Sequence, residues 1–146
     1  MRTAGLLHDL GKVAVPERVL HKPGRLDAEE WALIQAHPVT GYEICKRLAT
    51  ARPVLDSILS HHERFDGSGY PHRLAGEAIP FQARLLGVAD AYDALTSARA
   101  YRRGLSDDEA LALLRRETQE GKWDPEIFAA LSTLAARGEL DARRGP

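Results

Sequence analysis

The chain has 146 residues, with 20 basic and 21 acidic side chains and a formal charge of -1. That length suits one domain with a continuous core, and the near-zero charge balance excludes a broad cationic face for polymeric nucleic acid, so any phosphate binding must be local. The single cysteine, Cys45, cannot form an internal disulfide, and a reducing cytoplasm is the expected location. No apolar run of eighteen residues and no charged-then-apolar leader at Met1-Arg2-Thr3 is present, so neither a membrane span nor a secretory signal is expected.

Gly and Pro punctuation divides the chain into helices, and no segment alternates apolar and polar residues long enough for a strand. The expected fold is therefore all-α. A short helix ends near Leu10-Gly11, and Pro16 opens about one turn through Leu20. Asp27 with Glu30 has the form of a capping box for a helix running to Ala36, where Pro38 enforces a break at His37. A stretch from Thr40 to Thr50 places Ile44 and Leu48 on one face. The next helix, from Pro53, runs through Val54, Leu55, Ile58 and Leu59 and delivers His61-His62 at its end. Pro80 suits a helix start. Apolar spacing then continues through Leu85, Leu86, Ala89 and Leu95 to Ala98, with Asp90 in the middle. Ser106 with Glu109 caps a further helix, and Asp124-Pro125 starts the last, which Gly138 ends. The domain is thus expected over 1-138, with 139-146 as a flexible tail.

The chemistry lies in the histidines and carboxylates. His8-Asp9, His37, His61-His62 and Asp90 are the donor types that iron, manganese or zinc prefer, and one carboxylate can serve two ions at once. Each residue alone has a plainer explanation: a surface pair for His8-Asp9, a polar helix end for His61-His62, a helix-breaking surface residue for His37. Asp90 differs. Its neighbours Val88 and Ala89 are apolar, and a buried carboxylate needs a partner, which a cation would supply. Adjacent helical residues point about 100° apart, yet two neighbouring ions accept ligands from different directions. After the histidine pair comes Glu63-Arg64-Phe65-Asp66-Gly67-Ser68-Gly69-Tyr70-Pro71, whose glycines open backbone conformations closed to other residues. Tyr70 fixes a ring where a nucleobase or a partner could rest.

From Leu7 to about Phe128 the sequence resembles the HD-GYP family of bacterial cyclic di-GMP phosphodiesterases. The likeness is carried by His8-Asp9-Leu10-Gly11-Lys12, by Lys22-Pro23-Gly24-Arg25-Leu26 with Glu30 and His37-Pro38, and by the His61 to Pro71 segment. It continues in Ile79-Pro80, Ala83-Arg84, Val88-Ala89-Asp90 and Asp93-Ala94-Leu95-Thr96-Ser97, with Arg99, Tyr101 and Arg102. The resemblance implies an HD-type helical bundle with a Gly-Tyr-Pro loop. It implies that His8, Asp9, His37, His61, His62 and Asp90 hold two or three divalent ions, iron or manganese, with Asp9 bridging two. The implied reaction is in-line attack on phosphorus by water acidified between cations, giving the linear dinucleotide and onward GMP. By the same likeness Asp9 and Lys12 are catalytic, Lys12 adding charge at the scissile phosphate. Arg99 and Arg102 would hold phosphate or guanine, Tyr70 would line the mouth, and Asp93 would orient a ligand histidine or contact guanine. The family's partners are diguanylate cyclase domains or an upstream receiver or sensory domain.

Three departures from the family pattern stand out. The family carries a further histidine well before the His-Asp pair, and the chain begins seven residues before His8, so the domain is expected to be N-terminally short. One ion would then rest on Asp9, His37, His61 and His62, and its neighbour on His8, Asp9, Asp90 and water. Arg73 stands where the family has glycine, and Ala100 where it has proline. The main alternative to a phosphodiesterase is a catalytically impaired cyclic-dinucleotide sensor or interaction module of the same fold. A broader nucleotide phosphohydrolase is the third reading, and the Gly-Tyr-Pro segment weighs against it.

Overall fold

The computed structural model describes residues 1-98 and 103-140, and among these there are helices and no strands. The helices are α1 (Arg2–Leu7), α2 (Glu17–Leu20), α3 (Ala28–Gln35), α4 (His37–Cys45), α5 (Leu55–Ser60), α6 (Phe81–Thr96), α7 (Asp107–Gln119) and α8 (Pro125–Ala136). Short 3-10 turns cover Leu10–Ala14, Ala49–Val54 and Gly76–Ala78. No helix among the described residues is long and apolar enough to cross a membrane.

Both expected capping boxes form. Asp27 accepts from the Glu30 amide at 2.9 Å while Glu30 accepts from the Asp27 amide, and Ser106 and Glu109 do the same at the start of α7. Asp124 caps α8 ahead of Pro125. Several boundaries differ from the sequence reading. The first helix stops at Leu7, and the backbone tightens into a 3-10 turn where the helix was expected to end. The expected break falls at Ala36, between α3 and α4, and His37 stands at its edge as the first residue of α4, where Pro38 has no amide hydrogen to lose in a first turn. That helix ends at Cys45 instead of Thr50, and its core-facing residues are Gly41 and Cys45, whereas Ile44 and Leu48 are 38% and 46% exposed. Pro53 lies in a 3-10 turn and α5 starts only at Leu55; Leu59 is half-buried while Ile58 is fully buried. The long helix ends at Thr96 and the last at Ala136. The tail beyond Leu140 lies outside the described residues.

The core has two parts that share α6. Ala4, Cys45, Ala51, Val54, Ile58 and Leu86 form one cluster; Val88, Leu114, Trp123, Ile127 and Phe128 form the other. Helix α4 packs on the Leu10–Ala14 turn and on α5, α5 packs on α6, and α7 and α8 close against each other and α6. A partly buried ion pair at 2.5 Å, Arg84 to Asp124, ties α6 to the start of α8. Two close approaches set the site. A Cβ on Gly11 would lie 1.9 Å from the His37 carbonyl oxygen, and one on Gly87 would lie 2.7 Å from that of His61. Only glycine lets the residues after Asp9 touch α4, and α6 touch the end of α5. Asp90 follows Gly87 by three residues, hence on the same face of α6.

Candidate metal centre

Three elements deliver three histidines by one device. His8, His37 and His61 each place Nδ1 within 2.7–2.8 Å of a backbone carbonyl three residues earlier: Gly5, Ile34 and Ile58. A carbonyl only accepts, so in each neutral ring the proton sits on Nδ1 and Nε2 presents a bare lone pair. This is the orientation a metal-binding imidazole requires.

The Nε2 atoms converge on Asp9. His37 Nε2 lies 3.3 Å from Asp9 Oδ1 and 3.3 Å from His61 Nε2. On the other side, His8 Nε2 lies 3.6 Å from Asp9 Oδ2 and 3.5 Å from Asp90 Oδ1. The ring of His62 stands 4.1 Å from that of His61 and 5.0 Å from that of His37, centroid to centroid. One donor atom from each of Asp9, His37, His61 and His62 falls within 4.8 Å of the others. The two oxygens of Asp9 thus face two donor groups: His37, His61 and His62 on one side, His8 and Asp90 on the other.

Electrostatics favour a cation between these groups. His37 and His61 are 1% exposed, and Asp9 Oδ1 is buried with no aligned hydrogen bond. Lone pairs 3.3 Å apart repel unless a positive centre stands near them. A proton is poorly suited, because burial pushes the His61 pKa down to about 4 and, with the neighbouring His61 and His37, that of His62 down to about 2. The carboxylates stay ionised. Burial works against the charge on Asp9, but His37 and the Lys12 ammonium outweigh it and hold the carboxyl well below the usual range. Burial likewise opposes the charge on Asp90, and the His8 hydrogen bond wins; that same bond raises His8. His61 and His62 held neutral, with the ionised carboxylates of Asp9 and Asp90 beside them, are a donor set fit for divalent metal.

The surrounding residues fall into place unevenly. Lys12 reaches Asp9 Oδ2 at 2.6 Å, so its ammonium sits at the edge of the cluster. Tyr70 stacks on His62 with ring centroids 4.8 Å apart, and burial pushes its phenol well above the ordinary value, keeping it neutral. Asp93 lies on the exposed side of α6, beside a separate cavity of about 960 Å³ shared with Thr96 and Arg103, and hydrogen-bonds none of the ligand histidines. Arg99 and Arg102 lie outside the described residues.

Glu63 was quoted in the motif but given no role by the sequence. It is 5% exposed, and its two oxygens accept from the amides of His72 at 2.7 Å and Leu74 at 3.0 Å. It thereby pins the chain just beyond Tyr70-Pro71. Its position directly after the histidine pair was the available signal. Arg73, where the resemblance expected glycine, adopts φ +55°, a left-handed conformation that glycine occupies without strain.

A helical bundle that gathers its histidines and carboxylates around one aspartate has the form of an HD-type domain, and that cluster is compatible with divalent metal. Residues 1–127 match the HD domain family model. The chain belongs to that family and, with Gly69-Tyr70-Pro71 following its histidine pair, to the HD-GYP branch. It is 44% identical over 141 residues to the cyclic di-GMP phosphodiesterase response regulator RpfG of Xanthomonas campestris pv. campestris, covering 94% of this chain and 36% of that protein. Cyclic di-GMP phosphodiesterase PA4108 of Pseudomonas aeruginosa is 45% identical over 87% of this chain and 30% of its own length. The 3'3'-cGAMP-specific phosphodiesterase 2 of Vibrio cholerae is 44% identical over 90% of this chain and 25% of its own. The chain therefore spans between a quarter and about a third of the length of these relatives.

Proposed function

We propose that the chain is the hydrolytic domain of a metal-dependent phosphodiesterase acting on cyclic di-GMP, releasing the linear dinucleotide and then GMP. The observation that carries this reading is the convergence of the two donor groups on Asp9. The names of the relatives support the substrate class. His37, His61, His62 and Asp9 Oδ1 would hold one divalent ion, iron or manganese, and His8, Asp90 and Asp9 Oδ2 would hold its neighbour. Bound cations supply water acidified at neutral pH and neutralise phosphate charge.

The protein's own groups supply the rest. Lys12 sits beside Asp9 and presents positive charge to a phosphoryl oxygen arriving there. Tyr70, neutral and packed on His62, keeps one wall of the cluster dry and gives a base a surface to lie against. Arg99 and Arg102 are the candidate cations for the remaining phosphate or guanine. The relatives named for 3'3'-cGAMP motivate a second substrate reading in which one guanine is replaced by adenine.

The deciding experiment reconstitutes the purified chain anaerobically with iron or manganese. It offers cyclic di-GMP and 3'3'-cGAMP separately and resolves the products by chromatography. Metal-dependent appearance of linear product is the expected result, with the preferred substrate identified by rate. Stable binding of intact dinucleotide without turnover would replace this reading with that of a sensor. Asp9→Ala should lose bound metal while keeping its helical content; unchanged metal content in that variant would sink the ligand assignment.

A further inference from the structure

A run of three aromatic rings leads outward from the metal centre. His62 stacks on Tyr70 at 24° between ring planes, and Tyr70 meets Trp31 edge to face, with centroids 6.3 Å apart. Trp31 ends the series on α3. It is 46% exposed, and α3 has no buried residue and no part in either core cluster. Close to half of this large indole stays in water where it stands. Beside it opens a cavity of about 430 Å³, bordered by Trp31, Gln35, His62, Arg64, Tyr70 and Lys122. That volume is in the range of small-molecule sites. The side-chain amide of Gln35, one helical turn after Trp31, hydrogen-bonds no other described residue and stands at the cavity edge.

We propose that Trp31 is the stacking platform for a purine base of the dinucleotide, forming with Tyr70 an aromatic subsite next to the metal centre. The proposal rests on the phosphodiesterase reading and adds a base-binding residue to it. Aromatic stacking accepts any purine face, so Trp31 contributes affinity without choosing guanine over adenine. The choice falls to polar groups at the base edge, where Gln35 stands together with Glu117 and the Lys122 ammonium paired to it at 3.3 Å. The other role open to Trp31 is an apolar cover over Tyr70, which any bulky apolar side chain could fill.

The test compares Trp31→Phe with Trp31→Leu and Trp31→Gln in the manganese-loaded protein, using cyclic di-GMP as the probe. KM is measured where turnover occurs and Kd by calorimetry where it does not. Phenylalanine should keep most of the affinity, whereas leucine and glutamine should each lose roughly 5- to 100-fold, appearing in KM and not in kcat. Phenylalanine and leucine variants that bind alike would overturn the stacking role while leaving the phosphodiesterase reading intact. Wild-type protein that binds without turnover would overturn only the phosphodiesterase reading, and the Kd values would still decide the subsite. A folded wild type that neither binds nor turns over the dinucleotide would overturn both.

Discussion

Two glycine-to-alanine substitutions should act with opposite sign, and the contrast tests how the metal ligands are held. At Gly5, inside α1, an added Cβ meets nothing within 4 Å. Alanine there removes backbone freedom from the unfolded chain and should stabilise by about 0.5–1 kcal/mol. At Gly11 the same methyl would lie 1.9 Å from the His37 carbonyl oxygen and 2.6 Å from the Gly41 amide nitrogen, both backbone atoms of α4. Ordinary contact begins near 3.4 Å, so α4 and the Leu10–Ala14 turn must part by about 1.5 Å, an overpacking that costs about 1–3 kcal/mol. For a domain of this size each kcal/mol moves Tm by about 3 °C, giving a fall of roughly 3–9 °C. The separation falls between Asp9 and His37, now 3.3 Å apart, so metal affinity should drop together with stability. Thermal denaturation followed by circular dichroism, with metal content by elemental analysis, reads both effects. A Gly11→Ala protein with wild-type Tm and full metal content would refute the close-packed account of the site; Gly5→Ala serves as the control for the substitution itself.

Ile58→Ala, in a fully buried position between α5 and the first core cluster, should destabilise by about 2–5 kcal/mol in chemical denaturation. Glu63→Gln should weaken the grip on the His72 and Leu74 amides by about 1–3 kcal/mol, seen as faster hydrogen exchange at those amides with the global fold unchanged. Arg73→Gly relieves a left-handed backbone that costs about 1–2 kcal/mol and gives part of it back as unfolded-chain entropy, so the Tm should stay level or rise. Removing metal with a chelator should lower Tm, and restoring manganese in excess of its Kd should raise it again by the ligation free energy, about 2.7 kcal/mol at a hundredfold excess.

The sequence disclosed the helices wherever a side chain itself marks the boundary. Asp27 with Glu30, Ser106 with Glu109, and Asp124 before Pro125 cap where they were expected to, because each motif satisfies amides that the helix start leaves free. It failed where tertiary contact overrode local preference. The stretch around Leu48 has helical spacing, yet the chain leaves α4 at Cys45, the last buried residue of the helix, and Ile44 and Leu48 stay exposed. The ligand types were legible from composition and order, but their arrangement was not. Nothing in the sequence alone says that Gly11 and Gly87 exist to let backbones touch, although a glycine inside the long apolar pattern of α6 is a cost that asks for a packing reason.

The carbonyl-bound Nδ1 atoms explain why so few residues suffice to define the centre. His8, His37 and His61 each take their orienting partner from three residues earlier in the chain, within or at the end of their own helical segment. No distant second layer is needed to fix those three tautomers, and only the distances between segments remain to be set. Gly11 sets the distance between the Asp9 turn and α4; Gly87 sets that between α6 and the end of α5. Among the described residues His62 has no carbonyl partner of this kind, and it stacks instead on Tyr70, beyond which Glu63 binds the chain. The fourth imidazole of the cluster is therefore the one coupled to the Gly-Tyr-Pro loop. A displacement of Tyr70 would disturb the ring that packs on His62, so under the proposed function dinucleotide binding at the loop and metal binding at the cluster would share one contact.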